Sequence, residues 1–444
     1  MSSLTFRGGW IVACDSAQTL VQGDVVVREG AIVAVGPSAA TAADADGEVI
    51  DISGLAVMPG LVQSHVHLCQ TLMRGMAEEL PLLAWLQKRV WPLEAAHDEA
   101  SLRASAELGV AELLLGGTTC ILDMGTTHDH DVVFEVCERL GIRATGGKAM
   151  MDAGDQVPQR LRESTADSLG QSDRLRTCWH GAAGGRLRYA YAPRFVLSCT
   201  EALVRGVAER AGEHGLLMHT HASEHAEERA AVRAAYGRDD YQVLASWGFS
   251  GPRAVLVHMV QLGADQLQEV ARQGSRIVHC PSSNMKLGSG IAPVPEMLRA
   301  GLVVGIGADG APCNNNLDAW SEMRHASLIA KLRSGPASLP AADVLRFCTS
   351  SGAAVLGLEE QIGSIEAGKR ADLVVVSLDG VHQQPTLDIV ETLVHATRCS
   401  DVRYVMVDGR VVVKQGELVG VDLARLRATA GEQARTLQKR AGLA

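Results

Sequence analysis

Leu187-Arg-Tyr-Ala-Tyr191, Leu216-Leu-Met218, Ala254-Val-Leu-Val257, Arg276-Ile-Val278 and Leu302-Val-Val-Gly-Ile306 follow one another through the second half of the chain. Each is a short, mostly apolar run, long enough for a buried strand and too short for a helix. Between them lie amphipathic stretches, such as Thr200 to His214 and Ala264 to Gln273, that read as helices. The same alternation extends from about residue 59 to about residue 365. Strand and helix alternating over roughly 300 residues imply an α/β fold with a parallel sheet or barrel. No GxGxxG follows the first strand and no GxxxxGK[ST] occurs, which weighs against nucleotide-cofactor folds.

The flanks have a different texture. Trp10-Ile-Val-Ala-Cys14, Asp24-Val-Val-Val-Arg28 and Ala31-Ile-Val-Ala-Val35 are β-branched runs separated by glycine-containing turns. Short strands return after residue 366 as Asp372-Leu-Val-Val-Val-Ser377, Tyr404-Val-Met-Val407 and Val411-Val-Val-Lys414. The expectation is a small β domain built from both chain ends, 1–58 and 366–444, around a central unit at 59–365. The last stretch of the chain reads as a helix.

Composition excludes several classes. Of 444 residues, 47% are hydrophobic and 21% charged, so disorder is not the main state. Aromatics are only 4%, so Val, Leu, Ile and Ala must fill the core, as in a sheet buried on both faces. A net charge of −10 argues against nucleic acid or an anionic membrane as partner. No apolar stretch approaches the roughly 20 residues of a membrane span. The start lacks the basic region and apolar core of a signal peptide. Ten scattered cysteines form no CxxC, so neither a disulfide framework nor a cysteine-zinc module is expected, and a reducing cytoplasm fits best.

The 15 histidines fall in clusters. In Pro59-Gly-Leu-Val-Gln-Ser-His65-Val-His67-Leu-Cys-Gln70, the two histidines share one face of a strand and could ligate one metal. Leu216-Leu-Met-His219-Thr-His221-Ala-Ser-Glu224 repeats the pattern, with Glu224 just past the strand end. His258 ends Leu256-Val-His258, and Asp309 ends a glycine-rich strand before Gly-Ala-Pro-Cys-Asn-Asn-Asn316. Alone, each motif is weak. Together, each polar residue falls at the C-terminal end of an expected parallel strand, the rim where (β/α)8 barrels gather catalytic groups. Three histidines and an aspartate there would hold one divalent metal with room for water.

At this point the chain resembles the amidohydrolase superfamily, in its branch of mononuclear-metal aminohydrolases. The resemblance rests on PGLVQSHVH at 59–67, HASE at 221–224, VHM at 257–259, HCPSSNMKLGSGIAPVPEML at 279–298, GADGAPCNNN at 307–316 and GSIEAGKRADLVVV at 363–376. It implies a (β/α)8 TIM barrel with a small β-sandwich domain, one divalent metal per chain, and a homo-oligomer. It implies that His65, His67, His221 and Asp309 bind the metal. The family's His-x-x-Glu pattern selects His221 with Glu224 and leaves His219 deeper in the barrel. Glu224 is then the proton shuttle, His258 contacts the activated water or the forming tetrahedral centre, and Asp309 takes the water proton. A His3Asp set accepts zinc, iron or manganese, with zinc the first expectation. Binuclear relatives need a carboxylated lysine, and Lys148 is the only lysine that invites that role. The complete single-metal set favours a pocket or structural lysine instead. A separate zinc-deaminase pattern, HxE followed by PCxxC, is mimicked by His225-Ala-Glu227 but fails after Pro312-Cys313.

The implied substrate is a small amino-heterocycle. Trp91-Pro-Leu-Glu94 and Arg74-Gly75 resemble deaminases of 5′-deoxyadenosine, methylthioadenosine and adenosylhomocysteine, where the glutamate is implied to bind ribose hydroxyls. Gln70 and Ala192-Pro-Arg194-Phe195 also resemble guanine-type deaminases. Gln70, Glu94, Arg194 and Asn284 are the candidate substrate contacts, with Asn284 serving the pocket or fixing its loop. The rival readings are a guanine, 8-oxoguanine, pterin or triazine hydrolase, a chlorohydrolase, a binuclear cyclic amidase, and a barrel without catalysis. The last predicts missing ligands, and none is missing.

Overall fold

The computed structural model describes residues 3–42 and 47–443. Residues 1–2, 43–46 and 444, which the expected domain limits include, lie outside the described residues.

Eight short strands line the centre: Leu61–Val66, Thr118–Met124, Arg143–Gly147, Leu187–Tyr189, Met218–Ala222, Ala254–His258, Arg276–His279 and Val304–Ile306. The first four pair in parallel in chain order, and so do the last four. Two single parallel bridges, Tyr191 to Met218 and Val66 to Asp309, join the two sets. The strands thus close a parallel barrel made of two four-stranded halves. Its strands are continuous apolar runs because both faces are covered, as Ala254-Val-Leu-Val-His258, buried at every position, illustrates.

The helices start and stop where local chemistry directs. Thr200 caps Glu201–His214 by accepting from the Leu203 amide, and Gly215 ends that helix in the left-handed region at φ 67°. Asp98 and Ser101 form a reciprocal capping box at the start of Glu99–Leu115. Among the described residues, no helix is long and apolar enough to cross a membrane.

Both chain ends build one nine-stranded sheet. Leu373–Ser377 pairs antiparallel with Leu55–Pro59 and joins the two contributions. The pleat divides their side chains: Val57, Leu373 and Val375 enter a separate small core, while Ala56, Met58, Val374 and Val376 pack with the barrel core. The two layers of this domain are one curled sheet with unbroken hydrogen bonding. Phe6 and Tyr404 sit three strands apart, about 14 Å in a flat sheet, yet their ring centroids lie 6.3 Å apart.

The terminal helix, Leu423–Arg440, returns to the barrel. Ala430 and Leu437 pack with Leu72, Met73, Leu93 and Ala104. Arg440 pairs with Asp98 at 2.8 Å and donates to the Ala96 carbonyl. It therefore buttresses the segment that carries Glu94.

Candidate active site

Period-two alternation points His65 and His67 into the barrel from one strand, and His219 and His221 from another. His258 ends its strand at φ 77° and Asp309 follows its own at φ 61°; Ser223, before Glu224, has φ 51°. These left-handed non-glycine residues mark where the chain leaves the barrel and turns side chains over the rim. Close strand approach needs a glycine at 307, where a Cβ would stand 2.4 Å from the His65 carbonyl oxygen.

The imidazoles converge with their outer nitrogens already committed. His67 Nδ1 lies 2.7 Å from the Met124 carbonyl, and His221 Nδ1 lies 2.8 Å from the Arg194 carbonyl. His258 Nδ1 lies 2.9 Å from Asn284 Oδ1. Since carbonyl oxygens only accept, each Nδ1 carries the proton and each Nε2 is a bare lone pair. His65 Nδ1 lies 2.8 Å from His219 Nε2, which fixes that ring too. The inward atoms then crowd: His67 Nε2 is 3.2 Å from His221 Nε2, while Asp309 Oδ1 is 3.1 Å from His65 Nε2 and 3.3 Å from His67 Nε2. Lone pairs facing one another at such distances repel unless a cation sits among them. His65, His221, His258 and Asp309 each offer an atom within 4.8 Å of the others, and His67 stands beside them. This donor set fits a divalent metal of intermediate softness.

Electrostatics agree. Burial holds His65 down at about 4 and pushes His221 well below its ordinary value, which favours neutral rings. Burial opposes ionisation of Asp309, but the adjoining imidazoles of His65 and His67 hold it well below the carboxylate range. Ser283 Oγ donates to Asp309 Oδ2 at 2.7 Å. Glu224 behaves oppositely: burial, then the Asp309 and Glu228 carboxylates, raise it well above its ordinary value. Its Oε2 lies 3.5 Å from His258 Nε2, which is 3.8 Å from Asp309 Oδ2. His258 therefore stands between a carboxyl group whose pKa is raised and one whose pKa is lowered.

These groups floor a narrow cleft at the barrel mouth. Its other walls are Leu82, Trp85, Leu86, Arg194, Phe195 and Leu287. Arg194 donates to Glu94 through Nη1 at 2.6 Å and Nη2 at 3.2 Å, and Gln70 Nε2 donates to the same carboxylate at 2.7 Å. Glu94 reaches this position through a break in its helix. The Trp91 amide bonds back five residues to the Leu86 carbonyl, a single π-turn at Leu86–Val90. Pro92 explains it, because an unbroken α-helix would drive the proline ring into the Lys88 carbonyl. In such a helix Glu94 would stand about 80° round from Leu86; the extra residue in the turn brings both to the barrel mouth.

The amidohydrolase family model matches residues 56–412. The chain belongs to the amidohydrolase family. This amidohydrolase is 37% identical over 445 residues, covering both chains completely, to a 5-methylthioadenosine/S-adenosylhomocysteine deaminase of Haloarcula marismortui. It is 33% identical to a 5′-deoxyadenosine deaminase of Methanosarcina mazei, with 99% of each chain covered. Among solved structures, an adenosine deaminase from Xanthomonas campestris with bound zinc superposes with a TM-score of 0.93, at 34% identity and 99% coverage of each chain.

The amidohydrolase brings His65, His67, His221, His258, Glu224 and Asp309 together as the motifs suggested, and Arg194 lines the cavity with them. Three expected substrate contacts stand elsewhere. Gln70 and Glu94 are fully buried behind Arg194, where the Glu94 carboxylate accepts from both the buried guanidinium and the Gln70 amide. Asn284 lies behind His258, whose ring proton it accepts, instead of on the cavity wall. Lys148 is buried in an ion pair with Glu163, a structural placement. Sequence reading missed Ser283 and the apolar wall of Leu82, Trp85, Leu86 and Leu287. Ser283 sits one residue before Asn284, inside a quoted motif, and the amphipathic stretch before Trp91 held the signal for the wall.

Proposed function

We propose that this amidohydrolase is a metal-dependent deaminase of adenine nucleosides, replacing the ring amino group by oxo and releasing ammonia. The observation that carries it is the convergence of the His65, His67, His221 and His258 imidazoles with the Asp309 and Glu224 carboxyl groups at one cleft. The names of relatives that match over their full length support the nucleoside class.

In this reading His65, His67, His221 and Asp309 hold the metal, and His258 stays free for the reacting centre. The zinc in the Xanthomonas campestris structure supports zinc here. A divalent ion in this cradle supplies Lewis acidity that makes water nucleophilic near neutral pH. Asp309 accepts the proton that water loses as its oxygen bonds to the amine-bearing ring carbon. Glu224 gives its proton to the adjacent ring nitrogen. His258 hydrogen-bonds the oxygen as the carbon becomes tetrahedral. The proton taken by Asp309 reaches the amino nitrogen through Glu224, the C–N bond breaks, ammonia leaves, and the second water proton passes from the new carbonyl oxygen back to Glu224, restoring its starting state. Arg194, held in place by Glu94 behind it, addresses the ribose side.

The reading includes a catalytic barrel at 59–365, a β domain from 1–58 and 366–444, and a cytoplasmic setting supported by ten free cysteines. A homo-oligomer is supported by the exposure of Val381 and Leu387, at 95% and 91%. The test is ammonia release from adenosine, 5′-deoxyadenosine, methylthioadenosine, adenosylhomocysteine, guanine, 8-oxoguanine, pterins and aminotriazines. Turnover of a free base or triazine with none of the nucleosides would overturn it.

A further inference from the structure

The barrel interior is plugged at the end opposite the metal ligands. Val355 and Leu356, from the helix Ser350–Val355 and the turn after it, pack with the inward-facing Val255 and Val278. Two arginines share that inward face. Arg276 lies two residues before Val278, and Arg188 two before Ala190, which belongs to the same core. The neighbours of Arg188, Leu187 and Tyr189, pack outward instead. Branched apolar residues ordinarily fill inward positions in such a barrel. Both arginines open onto a cavity of about 320 Å³, with Arg253 on its exposed rim. Arg188 Nη1 and Thr145 Oγ1, in register on adjacent strands, are buried there without a hydrogen-bond partner. Arg276 donates through Nη1 to the Val355 carbonyl at 3.1 Å, which fixes the guanidinium and leaves its charge unmatched. Arg188, Arg253 and Arg276 form no ion pair among the described residues. Arg143, on the strand of Thr145, is by contrast matched by Asp372 and Asp408. Burial holds Arg188 and Arg276 below the ordinary guanidinium value, and the carboxylate that bears on both from a distance, Glu359, is exposed.

We propose that this N-terminal mouth of the barrel is an anion site for a phosphate group, free or as a monoester, held by Arg188 and Arg276 with Arg253 closing over it. Partly buried guanidinium groups without a counter-charge are costly, and an anion between them removes that cost. Their planar forks match pairs of phosphate oxygens. Arg188 comes from the fourth barrel strand and Arg276 from the seventh, so the donors arrive from different sides. A tetrahedral phosphate can meet both, whereas a carboxylate offers two oxygens in one plane. The Thr145 hydroxyl adds a neutral donor beside Arg188. The site stands at the opposite end of the strands from the metal ligands and takes no part in deamination. Its occupancy would stabilise the folded barrel by mass action.

The experiment titrates the metal-loaded protein calorimetrically with inorganic phosphate and with ribose 5-phosphate at constant ionic strength, with chloride as the control anion. We expect saturable binding and a rise in melting temperature that saturates with it. Arg188→Gln and Arg276→Gln should each weaken binding at least tenfold while still melting in one cooperative transition. Arg253→Gln, on the exposed rim, should weaken binding less, and it carries the test where a buried substitution fails to fold. Tighter binding of the ester identifies a phosphorylated metabolite as the ligand, and equal binding identifies free phosphate; either result supports the site. A response that does not saturate overturns the proposal. So does an affinity that none of the folded variants changes, since the anion then sits at the metal floor.

Discussion

His219 Nε2 meets His65 Nδ1 at 2.8 Å, one layer beneath the metal-ligand cradle. With the His65 proton on Nδ1, His219 accepts it and aims the opposite nitrogen of His65 at the ion site. The remaining ring nitrogen of His219, Nδ1, is buried with no partner, so this contact is the one function the ring has among the described residues. His219→Ala should weaken metal binding about 10- to 100-fold. Competition with a chromogenic chelator measures it; unchanged affinity would remove the orienting role.

Glu224→Gln keeps the shape of the side chain and removes the exchangeable proton. We expect kcat to fall about 10²- to 10⁴-fold, with one metal per chain still bound by elemental analysis. Full activity would sink the shuttle assignment.

Asn284→Ala releases the His258 ring without touching substrate. The expected result is a drop in kcat of about 10- to 100-fold with KM nearly unchanged. A rise in KM alone would instead put Asn284 on the substrate.

Glu94→Ala leaves the Arg194 guanidinium buried and uncompensated. The expected loss of stability is roughly 3–5 kcal/mol, read by urea unfolding. The pair Glu94→Leu with Arg194→Met should recover most of that stability. It should not recover KM for nucleosides, because the guanidinium on the cavity wall is gone. Recovery of both would make the ion pair purely structural.

Asp239 gives the pH prediction. Burial opposes its ionisation, but Arg229 and Arg233 both fork onto it and hold its carboxyl at about 2. A depressed folded pKa contributes stability above the unfolded value of about 4 that is lost as pH falls through about 2. Asp239→Asn should therefore cost about 1 kcal/mol at pH 7, with the gap to wild type closing between pH ~4 and ~2. Thermal melts at both ends check it.

The chemistry-bearing residues were legible because they sit at strand ends, and strand ends can be read from local alternation and turn residues. His65, His67, His221, His258 and Asp309 need no long-range information beyond barrel closure. The pairing of Glu94 with Arg194 was not legible. It spans 100 residues and depends on a π-turn whose cause, Pro92, reads in sequence only as a helix start or kink. Depth left no trace in the local alternation: His219 and His221 share a strand face, and the resemblance, through His221-x-x-Glu224, set His219 deeper, where it meets His65. The curl that makes one sheet into two layers also left no local trace, since each strand alternates as it would in a flat sheet.

The two seams of the barrel have a consequence for how the molecule holds together. Each is a single bridge, whereas strands inside each half share several paired residues. His65 and His67 come from one half; His221, His258 and Asp309 come from or just past the other. An ion held by this set would act as a rivet driven through both staves of a split cask. Its removal should loosen the joints before it unfolds either half. Amide exchange would register this first at the Asp309 N–H, bonded to the His65 carbonyl, and at the His219 N–H, bonded to Tyr191.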